Sequence, residues 1–119
     1  MIDESHLKLA QMLRNGNFRL GHEKLLQEDV ETLLARNSVP FKAECRLDVG
    51  ERVDLLVEGR IAVELKIKCS PRMMMRQLQR YSAHDVVKAI ILVTASACSM
   101  PRELNGKPVI VVNLGAGYL

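Results

Sequence analysis

At 119 residues, 48% of them hydrophobic, the chain is long enough for one domain with a proper core and too short for a second. A net charge of +3 suits a polyanionic partner without demanding one, and with two Tyr, two Phe and no Trp the chain is poor in platforms for stacking unpaired bases. No apolar run reaches the roughly 18 residues of a membrane-spanning helix, and the opening Met-Ile-Asp-Glu-Ser-His lacks a secretory pattern, so a cytoplasmic protein with no membrane partner is expected.

In chain order, Asp3 to about Leu13 carries a short helical pattern with Leu7, Ala10 and Leu13 on one side, ended by Asn15-Gly16-Asn17; residues 1–20 are expected to be an N-terminal helical extension of a single domain spanning 1–119. A better helix runs from about His22 to Arg36, with Leu26, Val30, Leu33 and Leu34 as its buried stripe, and closes at Asn37-Ser38 before Pro40. From Phe41 the period changes to two. Three short strands, about 41–48, 52–57 and 61–68, are expected to form an antiparallel meander. Ser70-Pro71 then starts a helix to about His84, with Met74, Leu78 and Tyr81 aligned against the sheet. The apolar runs 89–94 and 108–113 predict two further buried strands, the second after the turn-forming Asn105-Gly106. The fold class is therefore α/β (α+β): helix, three-stranded meander, helix and one or two further strands in a mixed sheet.

Three cysteines, Cys45, Cys69 and Cys98, contain no C-x-x-C pair; they offer no zinc framework and read as core or near-core thiols in a reducing compartment. His6, His22 and His84 show no metal or nucleophile-base spacing and read as surface or capping residues. Met73-Met-Met75 reads as flexible packing.

The polar residues of the meander carry the chemistry. In the third strand alternation sends Ile61, Val63, Leu65 and Ile67 to one face and Glu64, Lys66 and Lys68 to the other. In the second it groups Val53, Leu55 and Val57 and leaves Asp54 among apolar neighbours, where a carboxylate needs compensation. Phosphodiester hydrolysis needs a hard divalent cation on oxygen ligands and a positive charge beside the developing negative one. Asp54 and Glu64, with the Leu65 carbonyl, can supply the ligands for Mg²⁺ or Mn²⁺, and Lys66 the charge. That site requires a three-residue connection, Glu58-Gly59-Arg60, or a bulge, so that Asp54 faces Glu64, since a two-residue turn at Glu58-Gly59 opposes Asp54 to Val63; the Asp54–Glu64 register is the one expected. The bland alternative makes Asp54 a structural ion-pair partner of Arg52 or Lys66, and Glu64 and Lys66 ordinary charges on an exposed strand face.

Arg-Val-Asp54-Leu-Leu-Val, then Val-Glu64-Leu-Lys66, then a helix with Gln77-Leu-Gln-Arg-Tyr81 resembles the PD-(D/E)xK, or restriction-endonuclease-like, nuclease superfamily over roughly residues 21–96. The element order is similar to that superfamily's core. Within it the chain is similar to small virus-type replication-repair nucleases (VRR-NUC), archaeal Holliday-junction resolvases and the GxxExxY group, although Leu20 and Leu26 stand where the last has glycine and tyrosine. The resemblance implies a DNA endonuclease for branched or junction DNA in repair, recombination or phage-type replication, acting as a homodimer without a nucleotide cofactor. It also implies an acid on the first core helix. Glu23, Glu28 and Glu31 are the candidates; Glu23, near the edge of the apolar stripe, is the one expected to join the metal site, while Glu28 should face water. Gln77 is the expected match to the superfamily's helix glutamine, positioning Lys66 or a phosphate. Arg72, Arg76 and Arg80, recurring every four residues, are candidate DNA-backbone contacts, and a solvated helix face explains them as well. The rival function is a non-catalytic nucleic-acid-binding or assembly subunit that keeps the fold.

Overall fold

A computed structural model describes residues 3–115. Asp3 caps α1 (Glu4–Arg14): its carboxylate accepts the His6 N–H at 3.1 Å, and His6 Nδ1 accepts the Asp3 N–H at 3.3 Å, a reciprocal capping box. The capping role expected for a histidine holds for His6, but the ring is buried rather than at the surface, with Nε2 3.1 Å from Arg60 Nη1. The buried stripe of α1 is therefore His6, Leu9, Ala10 and Leu13, and Leu7, predicted on it, stands 53% exposed. Leu9, Ala10 and Leu13, with Met12 at the margin, define this face by helical spacing, and Leu7 lies off it. In α2 (Glu23–Arg36) Leu26, Val30 and Leu34 are buried and Leu33 partly so, as the spacing predicts.

The strands are β1 (Phe41–Asp48), β2 (Glu51–Val57), β3 (Ile61–Lys66), β4 (Ala89–Thr94), β5 (Glu103–Leu104) and β6 (Lys107–Asn113), with α3 (Pro71–Ser82) between β3 and β4. They form one mixed six-stranded sheet in the order β1-β2-β3-β4-β6-β5. The meander β1-β2-β3 is antiparallel, whereas β3, β4 and β6 run parallel. The α/β class read from the sequence is thus the class observed. The short β5 was not expected; Asn105 (φ 50°) and Gly106 (φ 76°) make a two-residue turn that folds Glu103-Leu104 back on β6. The predicted third strand stops at Lys66, before Ile67 and Lys68.

Helices α1 and α2 cover one face of the sheet with Leu13, Leu26 and Val30 against Leu55, Val63 and Ile91. On the other face α3 packs Met74, Leu78 and Tyr81 against Leu56, Ala62 and Ile90. A strand buried on both faces has to be apolar at every position, which is why β4 reads as an uninterrupted run. The cysteines differ from expectation. Cys69 and Cys98 form a disulfide across Cα atoms 6.2 Å apart, and only Cys45 is free and buried. Their separation of 29 residues in the chain carries no hint of this; parallel pairing of β3 with β4 brings the two following loops together.

Two turns fix what the sheet presents. At the β2–β3 turn Glu58 (φ 54°) and Gly59 (φ 71°) occupy the left-handed region, the Arg60 N–H bonds the Val57 carbonyl at 3.1 Å, and Val57 pairs with Ile61. This is the three-residue connection the sequence required. Further along, Glu44 takes φ 50° within β1 and drops out between the Ala43–Leu55 and Cys45–Val53 pairs. Here the hairpin turns over: Ala43 and Leu55 pack toward α1 and α2, whereas Cys45, Leu47 and Val53 pack toward α3. Val53 therefore does not share a face with Leu55 and Val57, because strict alternation fails where one residue leaves the β region. A left-handed conformation costs a non-glycine residue about 1–2 kcal/mol. Glutamate already carries that cost, so Glu44→Gly is expected to retain or exceed the wild-type stability in chemical denaturation, and Glu44→Val, β-branched at that φ, to fall below it.

Candidate functional site

The ladder between β2 and β3 ends at Leu55–Val63. Continued one step it would oppose Asp54 to Glu64, but β2 has turned over there, and the β3 edge is left facing side chains instead of backbone. Leu65 donates its N–H to Asp54 Oδ2 at 2.8 Å, and Ile67 donates its N–H to Glu23 Oε2 at 3.1 Å. Two carboxylates thus replace the strand carbonyls that would satisfy these donors. A strand residue turns its N–H and C=O to the same edge, so the Leu65 carbonyl looks toward the same gap.

Glu64 enters the gap from the α3 side. Its Oε1 accepts the Tyr81 hydroxyl at 3.0 Å and its Oε2 accepts Gln77 Nε2 at 3.1 Å. Gln77 also donates to the Tyr81 oxygen, and that hydroxyl lies 3.0 Å from the Arg52 carbonyl. A hydroxyl has one proton. Tyr81 gives it to Glu64 when that carboxylate is charged, and is free to give it to Arg52 when Glu64 carries a proton of its own. Lys66 Nζ stands 3.7 Å from Glu23 Oε2.

Burial, first of all, pushes the Asp54 carboxyl up to about 6, against the opposing Leu65 N–H; the charges of Glu44 and Glu23 raise it further and Lys66 lowers it. Glu64 is pushed up to about 8, by burial first and by repulsion from Asp54 next, with the Tyr81 hydrogen bond and Lys66 opposing. Tyr81 is raised as well, by burial and by Glu64, and stays a neutral donor.

Of the residues singled out from the sequence, Asp54 meets Leu65, Gln77 meets Glu64, and Glu23 meets Lys66, all along β3 and its end. Glu23 sits with Lys66 and Ile67, and among the described residues no three His, Cys, Asp or Glu side chains form a group able to hold a metal ion by themselves. Neither ion-pair partner considered for Asp54 is taken up: Arg52 pairs with Glu44 at 3.3 Å and Lys66 with Glu23. Glu28 is in solvent beside Arg19, and Glu31 accepts Gln27 Nε2 at 3.0 Å. Arg72 and Arg76 are exposed on α3, while Arg80 is tied to Glu51 at 3.2 Å. Sequence reasoning undervalued Tyr81, whose place in an apolar stripe disguised a hydroxyl aimed at Glu64; its four-residue spacing from Gln77 was the available signal. Glu44 gave none, since alternation makes it an ordinary exposed strand residue. No protein-family model, curated protein or solved structure matches the chain.

The raised carboxyls make stability depend on pH. An acid whose pKa is higher folded than unfolded favours the fold fully below its unfolded value and loses that contribution as pH rises through the folded one. For Asp54 the loss runs from its ordinary 3.8 to about 6, and for Glu64 from 4.5 to about 8. In chelator, the melting temperature is expected to fall across this window, and Glu64→Gln to flatten the upper part of the decline. An unchanged slope in that variant would contradict the assignment.

Proposed function

We propose that this chain is a Mg²⁺- or Mn²⁺-dependent endonuclease that hydrolyses DNA phosphodiester bonds at Asp54, Glu64 and Lys66. The observation that carries the proposal is the parting of β2 from β3, which turns two carboxylates and a strand carbonyl toward one gap with an ammonium at its margin. The order α2, β1, β2, β3, α3, β4 supports it, because it agrees with the core of the PD-(D/E)xK superfamily that the motifs resemble.

The donor chemistry fits a hard divalent cation. Asp54, Glu64 and the Leu65 carbonyl offer oxygen only, and the two largely buried carboxylates, of which Asp54 raises the pKa of Glu64, have Lys66 as the cation acting on both. Asp54 and Glu64 would hold the ion with the Leu65 carbonyl, and water would be needed for the remaining positions. The bound ion supplies Lewis-acid polarisation of the phosphate and a more acidic water. Tyr81 and Gln77 hold the Glu64 carboxylate by both oxygens, so its orientation is set before substrate arrives. Lys66 brings positive charge to the phosphoryl oxygens as negative charge develops, and Glu23 positions that ammonium. Branched or junction DNA as substrate, and a homodimer as the working form, follow from the resemblance to resolvase-like nucleases.

The test is cleavage of labelled supercoiled, linear, flapped and four-way-junction DNA with Mg²⁺ or Mn²⁺. At least one substrate is expected to be cut, with cutting lost in chelator, in Asp54→Asn and in Lys66→Ala. Tyr81→Phe and Gln77→Ala should fold and cut roughly 10–100-fold more slowly, as the supports of metal ligands do. DNA binding without cleavage of any substrate would overturn the enzymatic reading in favour of a non-catalytic nucleic-acid-binding subunit.

A further inference from the structure

Beyond the turnover at Glu44, the β1–β2 hairpin carries Arg46 directly opposite Arg52. Opposed residues of an antiparallel pair share a face with Cβ atoms about 5 Å apart, and like charges there oppose folding. Cys45 and Val53 point toward α3, and Glu51 reaches Arg80 on that helix, so alternation sends Arg46 and Arg52 to the other side of the sheet. Both are exposed. Arg52 is held by Glu44, which in turn accepts Gln27 Nε2 of α2 at 2.9 Å. Among the described residues no carboxylate lies within 4.0 Å of the Arg46 guanidinium. An open hollow of about 240 Å³ is lined by Arg46, Gly50, Glu51 and Arg52.

We infer that Arg46 and Arg52 form a clasp for a nucleic-acid backbone phosphate, on the side of the sheet that α2 covers. The clasp rests on the proposed nuclease reading for what it serves, and adds the surface along which substrate lies. Arginine suits the task because its planar fork meets phosphate oxygens with two parallel hydrogen bonds, and an anion between two guanidiniums removes their repulsion. The position is continuous with the centre: Arg52 contacts Glu44, whose charge acts on Asp54, and past Asp54 the second open hollow, about 460 Å³, is lined by Glu23, Lys66 and Lys68. Positive groups thus stand on both sides of the acidic gap, as a phosphate chain crossing it requires. The arginines of α3, expected from their spacing to serve as the track, belong to the opposite layer, and Arg80 is occupied by Glu51.

The test is fluorescence anisotropy with labelled duplex DNA, four-way-junction DNA and duplex RNA in chelator, where cleavage cannot interfere, together with melting temperatures of every variant. Arg46→Ala/Arg52→Ala is expected to weaken binding on the order of tenfold at low salt and to reduce the salt-dependence slope by about 1, for the one phosphate the two side chains share. Lys8→Ala/Arg14→Ala, which removes the same two positive charges from exposed positions on α1, should leave both unchanged. Arg46→Ala alone should keep or raise the melting temperature, the reverse of a structural arginine. Wild-type binding that the double variant retains, with an unchanged slope, would overturn the clasp while leaving the nuclease reading intact. Lost binding in the double variant of a protein that cuts nothing would uphold the clasp and defeat cleavage instead. A wild-type protein that binds neither DNA nor RNA overturns the clasp, and the preference between DNA and RNA names its ligand.

Discussion

Leu65 donates its backbone N–H to the Asp54 carboxylate at 2.8 Å, at a place where a sheet would ordinarily supply the carbonyl of a neighbouring strand. Much of the site follows from that exchange. It can occur only because β2 turns over at Asp54, and β2 turns over in step with Glu44, which leaves the β region in the strand beside it. The same exchange repeats one residue pair further on, where Glu23 takes the Ile67 N–H. An opened ladder would otherwise leave the part-buried Leu65 N–H unpaired, at a cost of about 1–3 kcal/mol for a donor out of reach of water. Carboxylates close the accounting while leaving their remaining lone pairs free to face the gap.

The two helical layers divide the work of holding those carboxylates. On one side α3 contributes Tyr81 and Gln77, two donors that fix Glu64 by both oxygens; on the other, α2 contributes Glu23, which steadies Lys66. Among the described residues no cation pairs directly with Glu64 or Asp54, and burial, above all, raises the pKa of both, with neighbouring carboxylates adding to it. Such a pair is a poor choice for a structural ion network, which would place a cation directly on each acid. It is a reasonable choice for a centre that gains its counter-charge from a bound cation and takes on substrate phosphates beside it.

Most of this fold was legible in the sequence because its signals were local and periodic. The change from the 3.6-residue period of α2 to the two-residue period of β1, the Glu58-Gly59-Arg60 connection, and the unbroken run of β4 each followed from side-chain placement alone. Asp54, Glu64, Lys66, Glu23 and Gln77 could be picked out since a charge in an apolar strand, or a glutamine on the flank of an apolar stripe, needs a reason. What escaped depended on contacts between distant residues. His6 is buried against Arg60, far along the chain; the meeting of two loop ends paired Cys69 with Cys98; and Val53 lies on the other face beside the left-handed Glu44. The layer to which the arginines of α3 belong also could not be read without knowing which face of the sheet that helix covers.

Cation binding by the Asp54–Glu64 pair, without any nucleic acid, tests the central claim most directly. Calorimetric titration of Mn²⁺ near pH 7, repeated in buffers of different ionisation enthalpy, reports both binding and the protons displaced from the raised carboxyls. Saturable binding to one site with net proton release, abolished in Asp54→Asn/Glu64→Gln, is the expected result. Absence of binding by the wild-type protein, or binding that the double variant retains, would contradict the account.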